Sequence, residues 1–215
     1  MTTREDANMK KRIITLAVAF VAILAGLLST AAPANAYIDD PYINGRKFAS
    51  TSVCVGSTLL QSYYRVGYVA QVINNQTQTL ALDYSTDCAA DGYPPSRRMV
   101  VGTYQNAADD RCVAFTNQYH DDYNGFWRWT SGPGIYLNTG LSTCVSTQTR
   151  RDHWISQAIA WHLGLNTLDD TNPDEWRLMN TSAWTRDNVG VLTATEGVKL
   201  DQIYYGNFCN SGTVC

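Results

Sequence analysis

Six cysteines constrain this chain more than any other feature: Cys54, Cys88, Cys112, Cys144, Cys209 and Cys215. Their number is even, all lie beyond residue 53, and no two stand as Cys-x-x-Cys. That pattern reads as a framework of three disulfides and argues against a thiolate zinc site. A chain stapled in this way folds in an oxidising compartment. Sequence leaves many pairings open. The expectation carried forward joins neighbours along the chain: Cys54–Cys88, Cys112–Cys144 and Cys209–Cys215.

The start of the sequence agrees with that compartment. Lys10, Lys11 and Arg12 precede an apolar run over residues 13–28, broken only by Thr15 and Gly26, and Ala34-Asn35-Ala36 has the small-x-small form that signal peptidase accepts. The expectation is a signal peptide over residues 1–36 and a secreted, extracellular product. The run falls short of the roughly 20 residues that span a bilayer, so no membrane attachment is expected after cleavage. Removing the leader takes away four basic and two acidic residues, and the formal charge of −3 becomes −5. No basic stripe is left, which argues against nucleic acid as a partner. What remains suffices for one domain with a real core. The expected organisation is an N-terminal arm over residues 37–52, loosely held, and a domain over residues 53–215, as a monomer.

Periodicity and turn chemistry give the elements. A strand is expected over residues 60–66. Ile73, Thr77, Leu80, Ala81 and Tyr84 recur at helical spacing and predict a helix over 70–85. Residues 87–96, with Gly92 and Pro94-Pro95, read as a loop. Strands are expected over 98–104 and 112–119, a loop over 120–134, and a short edge strand over 134–138. Residues 152–164 form the clearest helix, with Ile155, Ala158, Ile159 and His162 in phase and Gly164 as its stop. A polar loop over 169–175 and a last short helix over 199–205 follow. This order makes the chain α+β, or mixed α/β.

Residues 157–167 read Gln-Ala-Ile-Ala-Trp-His-Leu-Gly-Leu-Asn-Thr. The block resembles the zinc-binding helix of the metzincin metallopeptidases, especially small matrixin-like enzymes, whose pattern is H-E-x-x-H-x-x-G-x-x-H. With Gly164 on the family glycine, Gln157, Trp161 and Thr167 fall on the three metal ligands and Ala158 on the general base. Met179, in Leu178-Met179-Asn180-Thr181-Ser182, resembles the methionine turn that lies beneath the zinc in that family. Residues 198–206 resemble its closing helix, and residues 134–139 its cleft-lining edge strand. The resemblance implies a metzincin-like fold: a twisted, mostly parallel sheet, a long central helix, a smaller C-terminal lobe, and a cleft between the lobes.

The family's chemistry does not survive the replacements. Zinc needs two histidines one helical turn apart, a third beyond the glycine, and a glutamate to take a proton from the bound water. An amide is a poor ligand, an indole N–H has no lone pair to give, and alanine takes no proton. Zinc is the family's cofactor, and none is expected here. Trp161 is expected to fill the former metal pocket. The expected function is that of a non-catalytic, secreted matrixin-type protein that binds extracellular protein or peptide. The alternatives are a zinc metalloendopeptidase altered at its site and a disulfide-stapled binding module unrelated to peptidases.

Other chemistry is weaker. His153 and His162 lie nine residues apart, on opposite faces of one helix, and share no metal. His153 is expected to cap the helix or face solvent, and His162 to flank it in a packed or half-exposed place. His120 with Asp121 and Asp122, and the pair Asp169 and Asp170, read as solvated. The cluster Tyr119, Tyr123, Phe126, Trp127 and Trp129 reads as core and loop packing, with a binding surface as the alternative. No nucleophile elbow, phosphate loop or dinucleotide fingerprint occurs.

Overall fold

The structure, a computed structural model, describes residues 44, 46–116, 120–123, 126–167, 177–180 and 182–204. The chain divides into two units, Met1–Ala36 and Tyr37–Cys215, and every described residue lies in the second. The expected leader, Cys209 and Cys215, the loop over 169–175 and the side chain of His120 lie outside the described residues.

In chain order the elements are β1 (Arg46–Lys47), β2 (Ser52–Gly56), α1 (Gln61–Tyr64), α2 (Val66–Gln76), β3 (Ala81–Ser85), β4 (Arg98–Tyr104) and β5 (Val113–Thr116). They continue with β6 (His120–Tyr123), β7 (Phe126–Trp129), β8 (Gly134–Asn138), α3 (Ser142–Val145), α4 (Gln148–Leu163), α5 (Ala183–Asn188) and α6 (Ala194–Tyr204). Five strands form a mixed, mostly parallel sheet in the order β3-β2-β4-β8-β5, with β5 antiparallel at one edge. A second sheet has the order β1-β7-β6. The fold is α+β.

Strand register explains where the core sits. Pairing sets Val53 beside Leu82, Val55 beside Met99, Val101 beside Ile135, and Ile135 and Leu137 beside Phe115 and Val113. Side chains alternate along a strand, so this whole set leaves the sheet on one face. Helices α2 and α4 pack on the sheet and on each other. Val53, Val55, Met99, Val101, Ile135 and Leu137 are at most 2 % exposed, whereas Val100, of opposite phase, is 47 % exposed. No helix among the described residues is long and apolar enough to cross a membrane.

Helix α4 organises the domain. The Thr147 hydroxyl accepts from the Arg150 N–H at its start, and Gly164, at φ 122°, ends it. A Cβ at Gly164 would come within 2.5 Å of the Arg46 carbonyl, so the stop is also a close crossing of β1. Most of the helix is buried, its polar residues included. Asp152 accepts from Arg65 at 2.5 Å and Gln148 at 2.8 Å, and Arg151 donates to the carbonyls of Tyr63 and Val145. Buried charges tolerate this position because each has a partner.

Both expected disulfides within the described residues are present, Cys54–Cys88 and Cys112–Cys144. Strand β4 spans the expected residues, and α4 starts four residues earlier than expected. Other expectations need correction. Residues 61–64 are a helical turn and not a strand. The helix expected over 70–85 ends at Gln76, because Ala81–Ser85 pairs with β2 instead. Residues 120–129 hold a hairpin, not a loop. Strand β8 is not an edge strand, since β5 lies outside it. From the expected arm, Arg46–Lys47 pairs with β7 and Phe48 is 1 % exposed.

Candidate functional site

Helix α4 turns one stripe of residues toward a cavity of about 730 Å³. At about 100° per residue, Arg150, Trp154, Gln157, Ala158 and Trp161 fall within an arc of about 100°, and all five line that cavity. Edge strand β5 contributes Val113 and Phe115, and α5 contributes Arg186. Thr167 stands at the rim beyond the helix end. The four positions singled out by sequence, Gln157, Ala158, Trp161 and Thr167, therefore share one cavity. Its volume suits a small molecule or a few residues of peptide.

Two ring contacts shape one wall. Trp161, half-buried, stacks parallel to Phe115 with centroids 5.1 Å apart. The Arg46 guanidinium sits 4.1 Å from the Trp161 ring centroid. Asn44 donates to the carbonyls of Trp161 and Leu165, which ties the stretch before β1 to the end of α4. Trp161 lines one wall of the cavity and does not fill it. Cys112 also lines the cavity, and its bond to Cys144 ties the start of β5 to α3.

The floor is Gln157, 6 % exposed. Its amide nitrogen donates to the Leu178 carbonyl at 3.1 Å. A carbonyl only accepts, so the contact fixes the amide orientation and leaves Oε1 as the remaining acceptor. This bond sets the turn holding Met179, 2 % exposed, directly against Gln157. The turn has a second anchor. Glu196 Oε1 accepts from the Met179 N–H at 2.7 Å, and its Oε2 accepts from the Thr193 N–H and hydroxyl at 3.0 and 2.8 Å. Thr193 and Glu196 form a capping box at the start of α6. Burial pushes the Glu196 carboxyl above its usual range, against the pull of these hydrogen bonds.

Both helix histidines are enclosed, which corrects the capping or surface place expected for His153. His153 Nδ1 meets the Val189 carbonyl at 2.7 Å and His162 Nδ1 the Ala158 carbonyl at 2.8 Å. Each Nδ1 therefore carries the hydrogen, and each Nε2 is a buried lone pair with no partner among the described residues. Burial lowers both pKa values to about 4, so both rings are neutral at pH 7. His162 packs among Phe115, Trp129 and Trp161, and Trp129 donates its indole N–H to the His162 carbonyl. Trp129 is thus core, the reading favoured for the aromatic cluster; the side chains of its other members lie outside the described residues.

These residues do not fit zinc. The Gln157 amide is held by the turn, Trp161 has no lone pair in the ring plane, Ala158 takes no proton, and Thr167 is exposed. Among the described residues no group of three His, Cys, Asp or Glu side chains converges. The cavity has aromatic walls from Phe115, Trp154 and Trp161, one amide acceptor at the floor, and Asp110 with arginines 111, 150 and 186 among its lining. Arg111 is held by Asp109, and Arg150 by Asp187. Comparison of the sequence with family models and with curated proteins gives no match.

Sequence reasoning missed several of these residues. Arg150 and Trp154 lie seven and three positions before Gln157, so extending the helix phase backwards would have found them. Thr193 and Glu196 carried a capping-box signal that went unread. Phe115 carried no local signal, because strand order alone brings it to Trp161.

Proposed function

We propose that this protein is a secreted, non-catalytic member of the matrixin-type metallopeptidases that binds extracellular peptide in the cleft beside β5. One observation carries the reading: the four positions at which the sequence departs from the zinc motif line a single cavity, with the methionine turn bonded to its floor. Chance resemblance along a helix gives no reason for Thr167 and the Met179 turn to gather at the same place. The antiparallel edge strand lies at that cavity through Val113 and Phe115, with no strand partner on its outer side among the described residues. An extended peptide can pair with such an edge. The two disulfides are compatible with an extracellular setting.

The test combines metal content, cleavage and reversion. Elemental analysis of the purified protein is expected to give zinc near zero per chain, and a peptide library is expected to stay intact. The fourfold variant Gln157→His, Ala158→Glu, Trp161→His and Thr167→His is expected to bind zinc. Stoichiometric zinc in the unaltered protein, or a well-folded fourfold variant that binds none, would overturn the reading. The first outcome would favour an active metalloendopeptidase, the second an unrelated binding module.

A further inference from the structure

We infer that the cleft takes the carboxy-terminal end of a peptide, with the terminal carboxylate at Arg150, an apolar last side chain against Trp154, and an upstream backbone N–H on Gln157 Oε1. This deepens the peptide-binding reading and rests on it. The argument starts from two unfilled hydrogen-bonding groups. Gln157 is 6 % exposed, and its Oε1 has no partner among the described residues once Nε2 is fixed on Leu178. An acceptor at the floor of a cavity, on a side chain whose orientation is already fixed, is placed to take a donor from whatever enters it. At the other end, Arg150 gives Nε to Asp187 and Nη1 to the Thr143 carbonyl, and its Nη2 has no partner among the described residues. The guanidinium is thereby oriented by protein contacts while keeping donors for an anion.

The spacing selects the ligand. Arg150 and Gln157 are seven residues apart on α4, about 10 Å along the axis. An extended peptide covers that distance in about three residues. Trp154 lies between them on the same stripe, where the last side chain of such a peptide would fall. Arg186 lies 5.7 Å from the Trp154 ring centroid and brings a second guanidinium to the same end. Arg150 is also in the first turn of a sixteen-residue helix, where backbone N–H groups favour negative charge. Carboxylate, apolar group and N–H donor in that order describe a peptide terminus better than an internal segment, which has no charge to place at Arg150.

The test uses three probes on the purified full chain, by isothermal titration: acetyl-Ala-Ala-Ala-Phe as the free acid, the same peptide as its carboxamide, and a longer blocked peptide with Phe inside. The free acid is expected to bind about tenfold or more tightly than either blocked form, the effect of one charge-assisted contact. Arg150→Gln is expected to bring the acid down to the level of the carboxamide. Equal binding of acid and carboxamide to the unaltered chain overturns the inference and leaves the peptide-binding reading standing. Failure of all three probes to bind overturns both. The acid-to-carboxamide comparison does not depend on the variant folding.

Discussion

The two faces of α4 make opposite use of polar residues. Away from the cleft, His153 and His162, on opposite sides of the helix, are bonded to backbone carbonyls and enclosed, and between them Ile155, Ile159 and Leu163 pack at 1 % exposure or less. On the face toward the cleft, Gln157 and Arg150 each keep a hydrogen-bonding group without a partner among the described residues, and Trp154 and Trp161 are half-buried. One helix thus packs tightly around most of its girth and leaves one stripe of aromatic and polar groups at the cavity. The two ought to separate in experiment.

The sharpest separation is with pH. His153 and His162 have folded pKa values of about 4, below the ordinary value of 6.5, so the unfolded chain binds more protons between those limits. Their contribution is present in full above pH 6.5 and is lost as pH falls towards 4, a loss on the order of several kcal/mol for the two rings together. Glu196 and Asp152, raised by burial, act in the opposite sense and blunt the effect. Urea midpoints from pH 7 to 4 are expected to fall steadily; a flat profile would mean that the core face is open to protons.

Substitution on each face comes next. Ile159→Ala removes a fully buried side chain from the core face and is expected to cost about 4 kcal/mol, read as a fall in urea midpoint with an unchanged slope. Trp161→Ala, on the cleft face, is expected to cost only about 1–2 kcal/mol, mostly its stacking on Phe115. The same variant is expected to weaken peptide binding, which Ile159→Ala leaves intact under folding conditions. Equal stability losses at the two positions would erase the distinction.

How much of this was legible in the sequence varies with the range of the interactions. Strand β4 and helix α4 were readable because their signals are local: β-branched and aromatic content in the first, and a helical phase closed by Gly164 in the second. Two disulfides followed from pairing neighbours. Strand β3 was misread because Leu80, Ala81 and Tyr84 happen to keep helical spacing, while the pairing with β2 that decides the matter is non-local. Strand β2 went unnoticed because it is five residues long and covered on both faces, with no alternation to betray it. His153 was misplaced because its partner, the Val189 carbonyl, lies thirty-six residues away. The four cleft positions were legible as a set. The residues that give the cleft its present chemistry, Phe115 and Arg186 above all, come from elements whose placement no local pattern announces.

The Glu196 carboxylate carries a last consequence. It shapes the turn at Met179 and starts α6 through contacts made wholly within the polypeptide. The floor of the cavity is thus tied to the start of α6 by hydrogen bonds that run through one side chain. Removing that one carboxylate would release the turn and the first turn of α6 together, so two distant stretches of chain share a single fastening.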